Sequence, residues 1–184
     1  MTEPMQGGRR RIDLVLAEDF LVGIDSVDLD DVRGRRREAE QEDADLSYIR
    51  RMLQGRMDIL RAELSRRSEP GGSDERIVDH LSRILADDAG RADHGLGRFL
   101  TVEPSRVDEH RRKVEQVIAD VGVSEVEGHS DDEIRAALKR LEELERGVSE
   151  TRQRVQKVMD ALTTEITQRY RTGAANVDDL LAER

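Results

Sequence analysis

Ten polar residues in this chain repeat in type and spacing. The first set reads Asp43, Ser47, Arg50, Gln54 and Asp58, and the second reads Glu145, Ser149, Arg152, Gln156 and Asp160. Both step by 4, 3, 4 and 4 residues, and the copies stand 102 residues apart; only the leading acid differs, Asp in one and Glu in the other. Arginine offers a flat cation that stacks on a nucleobase, or a fork that bonds O6 and N7 of guanine. Asp and Glu accept hydrogen bonds, and the N1–H and N2–H2 edge of guanine donates them; Ser donates to phosphate and Gln serves either role. The four carboxylates and two arginines sum to −2, offset in part by Arg51, Arg56, Arg146, Arg154 and Lys157 nearby. That set suits guanine edges better than bare phosphate.

On an α-helix the five positions fall at roughly 0°, 40°, −20°, 20° and 60°, one stripe about 22 Å long. In a chain that is 39% charged, one such stripe reads as a solvated face. Two copies that include uncharged Ser and Gln are not forced by composition and point to a surface built for contact.

Two long helices must carry these stripes. Residues 28–67 open on Asp28, Asp30 and Asp31, close on Arg61, Arg66 and Arg67, and are broken by Pro70, Gly71 and Gly72, as helix termini require. Leu46, Ile49, Leu53, Met57, Leu60 and Leu64 step by 3, 4, 4, 3 and 4, a near-heptad seam that needs a partner helix. The second helix, within 130–172, opens on the capping box Ser130-Asp131-Asp132-Glu133. Ile134, Leu138, Leu141, Leu144, Val148, Val155, Met159, Leu162 and Ile166 form its seam, and Gly173 ends it.

The rest of the chain decorates this pair. Residues 1–27 comprise a flexible tail over 1–11 and a short apolar segment over 12–27, predicted as a short helix or an extended stretch lying along a later helix. Residues 68–129 hold short helices and loops: a helix over about 74–89 capped by Ser73, a loop with Phe99, Leu100 and Val102, a helix over about 104–120 begun by Pro104, and a linker over 122–129. Residues 173–184 are a C-terminal tail with one more turn through Val177, Leu180 and Leu181. The predicted fold is all-α, a long antiparallel two-helix coiled coil with additional short helices. Its approximate two-fold axis would relate the two polar copies.

Composition excludes several classes. Aromatic content is 2%, so a thick globular core is not expected, and the absence of Cys excludes disulfides and thiolate metal sites. A net charge of −10 argues against general nucleic-acid binding. No apolar run can span a bilayer and no signal peptide follows the basic start, so the protein is expected in the cytoplasm. His80, His94, His110 and His129 show no ligand spacing, and Asp28, Asp30 and Asp31 lack the Gly and distal Glu of a calcium loop, so no metal is expected. There is no phosphate loop, nucleophile elbow or Ser/His/Asp arrangement, and no enzymatic activity is expected. Gly55 and Gly147 fall inside helices at non-equivalent positions of the two copies.

The repeated pattern, in the runs LSYIRRMLQGRMDILRAELSRR (46–67) and ERGVSETRQRVQKVMDAL (145–162), resembles the signature of the RsiG family of cyclic-di-GMP-dependent anti-sigma factors of sporulating actinomycetes. Asp43 departs from the Glu of the family pattern. The resemblance implies an antiparallel helical pair that binds two molecules of cyclic di-GMP, dimerised across the two copies, through the ten residues named. It implies that the loaded protein captures a flagellar-type sporulation sigma factor, WhiG, and keeps it from RNA polymerase, repressing transcription without touching DNA or membrane. By their chemistry, Arg50 and Arg152 would stack on or fork to guanine, with Asp58, Asp160, Gln54 and Gln156 at its edge and Ser47 and Ser149 as short polar contacts. Asp43 and Glu145 would be the outer carboxylates. A coiled-coil scaffold or oligomerisation protein without nucleotide ligand is the competing reading.

Overall fold

The computed structural model describes Gly8, residues 10–68, Val126 and residues 128–173. It contains a short helix α1 (Arg11–Val15) and two long helices, α2 (Leu29–Ser68) and α3 (Asp131–Thr172), with no strand among the described residues. The helices expected over 74–89 and 104–120, the loop through Phe99, and the tail 174–184 lie outside the described residues, as do residues 1–7.

The ends of the long helices follow from their sequences. Asp30 and Asp31 occupy the first turn of α2, and Arg66 and Arg67 its last, which complements the helix dipole. At the start of α3 the Ser130 N–H donates to Glu133 Oε2 at 2.8 Å and the Glu133 N–H donates back to Ser130 Oγ at 3.4 Å, the reciprocal capping box. The 42 residues of α3 close at Gly173, whose φ of +74° favours glycine.

The described residues divide into two compact units, one with residues 47–68 of α2 and the residues up to 148 of α3, and one with the residues up to 46 and residues 149–173. Both long helices contribute to both units. In the first unit, residues 47–68 of α2 lie antiparallel to residues 131–148 of α3, since Arg50 meets Glu145 while Arg67 meets Asp131. Ile49, Leu53, Met57 and Leu60 form its buried seam with Ile134, Ala137, Leu141 and Val148. Near the end of α2, Arg67 donates to the carbonyls of His129 (2.6 Å) and Val126 (3.0 Å) and is itself held by Glu63 Oε1 at 2.5 Å. Glu63 is fully buried. Its bond from Arg66 prevails over burial and, with the bond from Arg67, keeps its pKa below the ordinary value.

In the second unit α2 and α3 are again antiparallel: Asp43 meets Arg152, Arg36 Nε donates to Thr163 Oγ1 at 3.1 Å, and Arg33 Nη2 donates to the Tyr170 hydroxyl at 2.5 Å. Val32, Ala39, Leu46, Val155 and Leu162 are buried there, with Ile12 and Val15 from α1. The segment 12–27 is therefore a one-turn helix followed by consecutive turns that pack on the long helices. Arg35 donates to the Phe20 carbonyl at 2.6 Å and lies 5.9 Å from the centre of its ring. Arg10 and Arg11, expected in the tail, belong to this structure: Arg11 begins α1, and Arg10 holds Asp13 through its guanidinium at 2.7 and 2.8 Å. Near the end of α3, Arg169 donates to the carbonyls of Val27 and Ile24 and is held by Glu165.

These two arginine clamps correspond. Arg169, Glu165, Val126 and His129 follow Arg67, Glu63, Ile24 and Val27 by the same 102 residues that separate the polar copies. Each unit thus closes the end of one long helix on the backbone that leads into the other.

The α2 seam is not apolar throughout. Between Ala39 and Leu46 it carries Glu42, 1% exposed, with Asp45 beside it at 2%. Glu42 Oε1 and Asp45 Oδ2 are buried without a hydrogen-bond partner. Burial pushes the Glu42 carboxyl up to about 7; the Asp45 charge adds to this, Arg11 and Arg10 oppose it, and Asp13 adds a little more. The folded pKa lies above the ordinary 4.5, so the proton stabilises the fold. That contribution is complete at acid pH and is lost as pH rises through about 7.

Two outcomes are expected. Replacing Leu141, which is fully buried, by alanine should cost about 2–5 kcal/mol in chemical denaturation. The Glu42→Gln variant should gain on the wild type as pH rises from 5 to 8, by on the order of 3 kcal/mol, whereas parallel pH profiles would place Glu42 in water.

Candidate functional site

The ten repeated polar residues lie on α2 and α3, and the units divide them in a way their spacing does not announce. The first unit holds Ser47, Arg50, Gln54 and Asp58 of one copy with Glu145 of the other. The second holds Ser149, Arg152, Gln156 and Asp160 with Asp43. Antiparallel pairing causes this exchange, because the leading acid of each copy sits across from the arginine of the other.

The contacts are reciprocal. Arg50 Nε donates to Glu145 Oε1 at 2.9 Å across the helices of the first unit. In the second, Arg152 Nε approaches Asp43 Oδ1 at 3.1 Å and its Nη2 donates to Oδ2 at 3.5 Å. The Glu145 oxygen also accepts Gln54 Nε2 at 3.2 Å, while Asp43, one methylene shorter, takes no matching bond from Gln156. Asp43 Oδ1 is ion-paired by distance but lacks an aligned donor. The side chains stay partly open to solvent, 39% for Arg50 and 25% for Arg152, against 21% for Glu145 and 19% for Asp43. The Arg50–Glu145 pair is the more open and contributes about 1 kcal/mol or less, whereas Asp43 Oδ1 in the other pair is buried.

The other members differ in surroundings. Asp58 is bound by Arg61 Nη1 at 3.3 Å, and Arg61 Nη2 reaches Glu142 at 3.0 Å. Asp160, its counterpart, is exposed. Ser47, Ser149 and Gln156 are half-buried beside the pairs. Arg51, Arg146, Arg154 and Lys157 are exposed on the same helices, where their charge offsets the acidic sets. A side chain at Gly147 would meet open space, so no close approach requires glycine there.

Each set therefore brings one guanidinium, one carboxamide, one hydroxyl and two carboxylates together on a partly open helical surface. That inventory can bond a planar heterocycle carrying both donors and acceptors. Among the described residues no group of three or more His, Cys, Asp or Glu is placed to hold a metal ion. No described helix is long and apolar enough to cross a membrane. Arg61, Glu142 and the Arg67 and Arg169 clamps lie outside the ten residues the repeat singles out. The clamps keep its 102-residue offset and were detectable by extending the comparison beyond the polar stripe, whereas Arg61 has Thr163 at the matching position and gives no such signal.

None of the curated proteins compared with the chain matches it. A family model described as RsiG-like matches residues 18–85 and 120–184. The match takes in both polar copies and both long helices. The family is one of regulatory anti-sigma factors rather than enzymes, which makes a sigma factor the partner its members suggest. With both halves of the repeat inside the matched residues, the chain belongs to the RsiG-like family.

Proposed function

We propose that this protein is an anti-sigma factor that reads cyclic di-GMP. Loaded with two nucleotides, one at each polar set, it sequesters a flagellar-type sporulation sigma factor of the WhiG kind in the cytoplasm and represses its transcription. The observation that carries the reading is the double assembly of matching polar residues, in which the arginine of each copy pairs across the helices with the leading acid of the other and stays partly open at Arg50 and Arg152. Solvated charge alone does not require Ser and Gln to recur at the same places.

The chemistry runs as an exchange. Guanine displaces the cross-helix ion pair, and the arginine stacks on its face or forks to O6 and N7. The freed carboxylates accept its N1–H and N2–H2, and Gln and Ser complete the polar contacts. The nucleotide thereby replaces these pairs with bonds that hold α2 and α3 at a set separation. Fixing that separation orders the face presented to sigma, so the two ligands must strengthen each other equally.

Calorimetric titration with cyclic di-GMP, alone and with the sigma factor present, tests this. Binding should fall about 10- to 100-fold per site for Arg50→Ala and for Arg152→Ala, while the stability of Arg50→Ala changes by less than about 1 kcal/mol. Nucleotide affinity should rise about 5- to 150-fold with sigma. A plain coiled-coil scaffold predicts no nucleotide heat with or without sigma, and arginine variants altered only in helix-pair stability.

A further inference from the structure

The seam of the second unit carries charge where the N-terminal segment packs on it. Glu42 and Asp45 of α2 are both buried and stand three residues apart, on one face of the helix. Glu42 Oε1 and Asp45 Oδ2 find no hydrogen-bond donor, and Gln41 Nε2 serves only the other Asp45 oxygen, at 3.3 Å. From the N-terminal segment, Arg10, Arg11 and Asp13 act on Glu42 through their charge. Arg10 is itself held by Asp13, and Arg11 is exposed. α3 brings uncharged Val155 and Leu162 to the same core.

The segment has little to hold it there. α1 is five residues long, too short to be stable alone, and its apolar anchors are Ile12 and Val15. Leu14 between them is 52% exposed. The fit is nonetheless close, since a Cβ on Gly8 would collide with the Asp13 carboxylate. By contrast α2 and α3, of 40 and 42 residues, cannot part beside Glu42 without opening the seam on either side. An ionised Glu42 therefore reaches water most readily by displacing α1.

We propose that Glu42 is a proton-operated latch for the N-terminal segment: with its carboxyl protonated, residues 10–17 dock on α2 beside Glu42 and Asp45, and with it ionised they detach while α2 and α3 stay paired. The direction follows from linkage. Burial holds the Glu42 carboxyl at about 7 against the ordinary 4.5, so the docked form binds the proton more tightly. Docking is strongest below pH 4.5, weakens as pH rises, and has lost the proton's help once pH passes about 7. If the segment supplies all of that burial, ionisation weakens docking at most about 300-fold, of which about 70-fold falls between pH 5 and pH 8. The Asp45 charge adds to the effect, because it opposes a second negative charge beside it.

Hydrogen exchange of the full chain between pH 5 and pH 8, corrected for the intrinsic rate at each pH, tests the latch. The amides of Leu14, Leu16 and Ala17, which donate to the carbonyls of Arg10, Ile12 and Leu14, report docking. Their protection should fall about 10- to 70-fold over this range, while the amides of Leu53 and Leu141 keep theirs. Glu42→Gln, which keeps the shape without the charge, should hold the three amides at their pH 5 protection throughout. Asp45→Asn should shrink the fall. Ile12→Ala, which loosens the segment, should by the same linkage bring the Glu42 carboxyl, titrated by carbon NMR, down toward 4.5. Four results would each overturn the proposal: a flat wild-type profile, an equal fall in Glu42→Gln, a fall at Leu53 and Leu141 as large as in the segment, or no protection of the segment even at pH 5. An unchanged Glu42 titration in Ile12→Ala would do the same.

Discussion

A pair of helices buries only one stripe of each, and everything else in this protein depends on that thin seam. Leu141 and Leu162 on α3 and Leu53 and Leu60 on α2 leave almost no surface to water. By burying that stripe they fix the rotation of each helix about its axis. Once rotation is fixed, residues beside the seam have no freedom to choose their neighbours. Arg50 must look toward Glu145 and Arg152 toward Asp43, because the seam leaves them at its margin. The polar surface is a by-product of apolar burial, and its precision is borrowed from the core.

Charge enters this core at defined places. Glu63 is buried, yet Arg66 and Arg67 hold it ionised. Glu42 is buried without such partners and responds by holding its proton up to about pH 7. One buried carboxylate therefore serves as an anchor for a cation that grips backbone carbonyls. The other is a weak point in the seam, tolerated where α1 brings Arg10 and Arg11 close.

Much of the architecture was legible in the sequence because it rests on periodicity and local chemistry. Steps of three and four marked the seams, Gly173 marked a stop, and Ser130 with Glu133 marked a start that the hydrogen bonds reproduce. Other features depend on register, which apolar steps alone leave open. The exchange of Asp43 and Glu145 between copies is visible only once the helices are aligned. Glu42 continues the three-and-four spacing of the seam from Leu46 back to Ala39, but its charge hides it from an apolar pattern, because charged side chains are seldom buried. The turns after α1 were equally hidden, since a short apolar run fits several backbones.

The arginine clamps carry a consequence of another kind. Two smooth heptad stripes can slide past one another by whole repeats with little loss of apolar contact, a common weakness of antiparallel coils. Arg67 gripping the carbonyls of Val126 and His129, and Arg169 gripping those of Ile24 and Val27, forbid that slide. A shift of one heptad would carry each guanidinium about 10 Å from its oxygens. Each clamp acts as a mechanical stop at the end of its own helix, holding the register along the axis while leaving the apolar seam to set the spacing between helices.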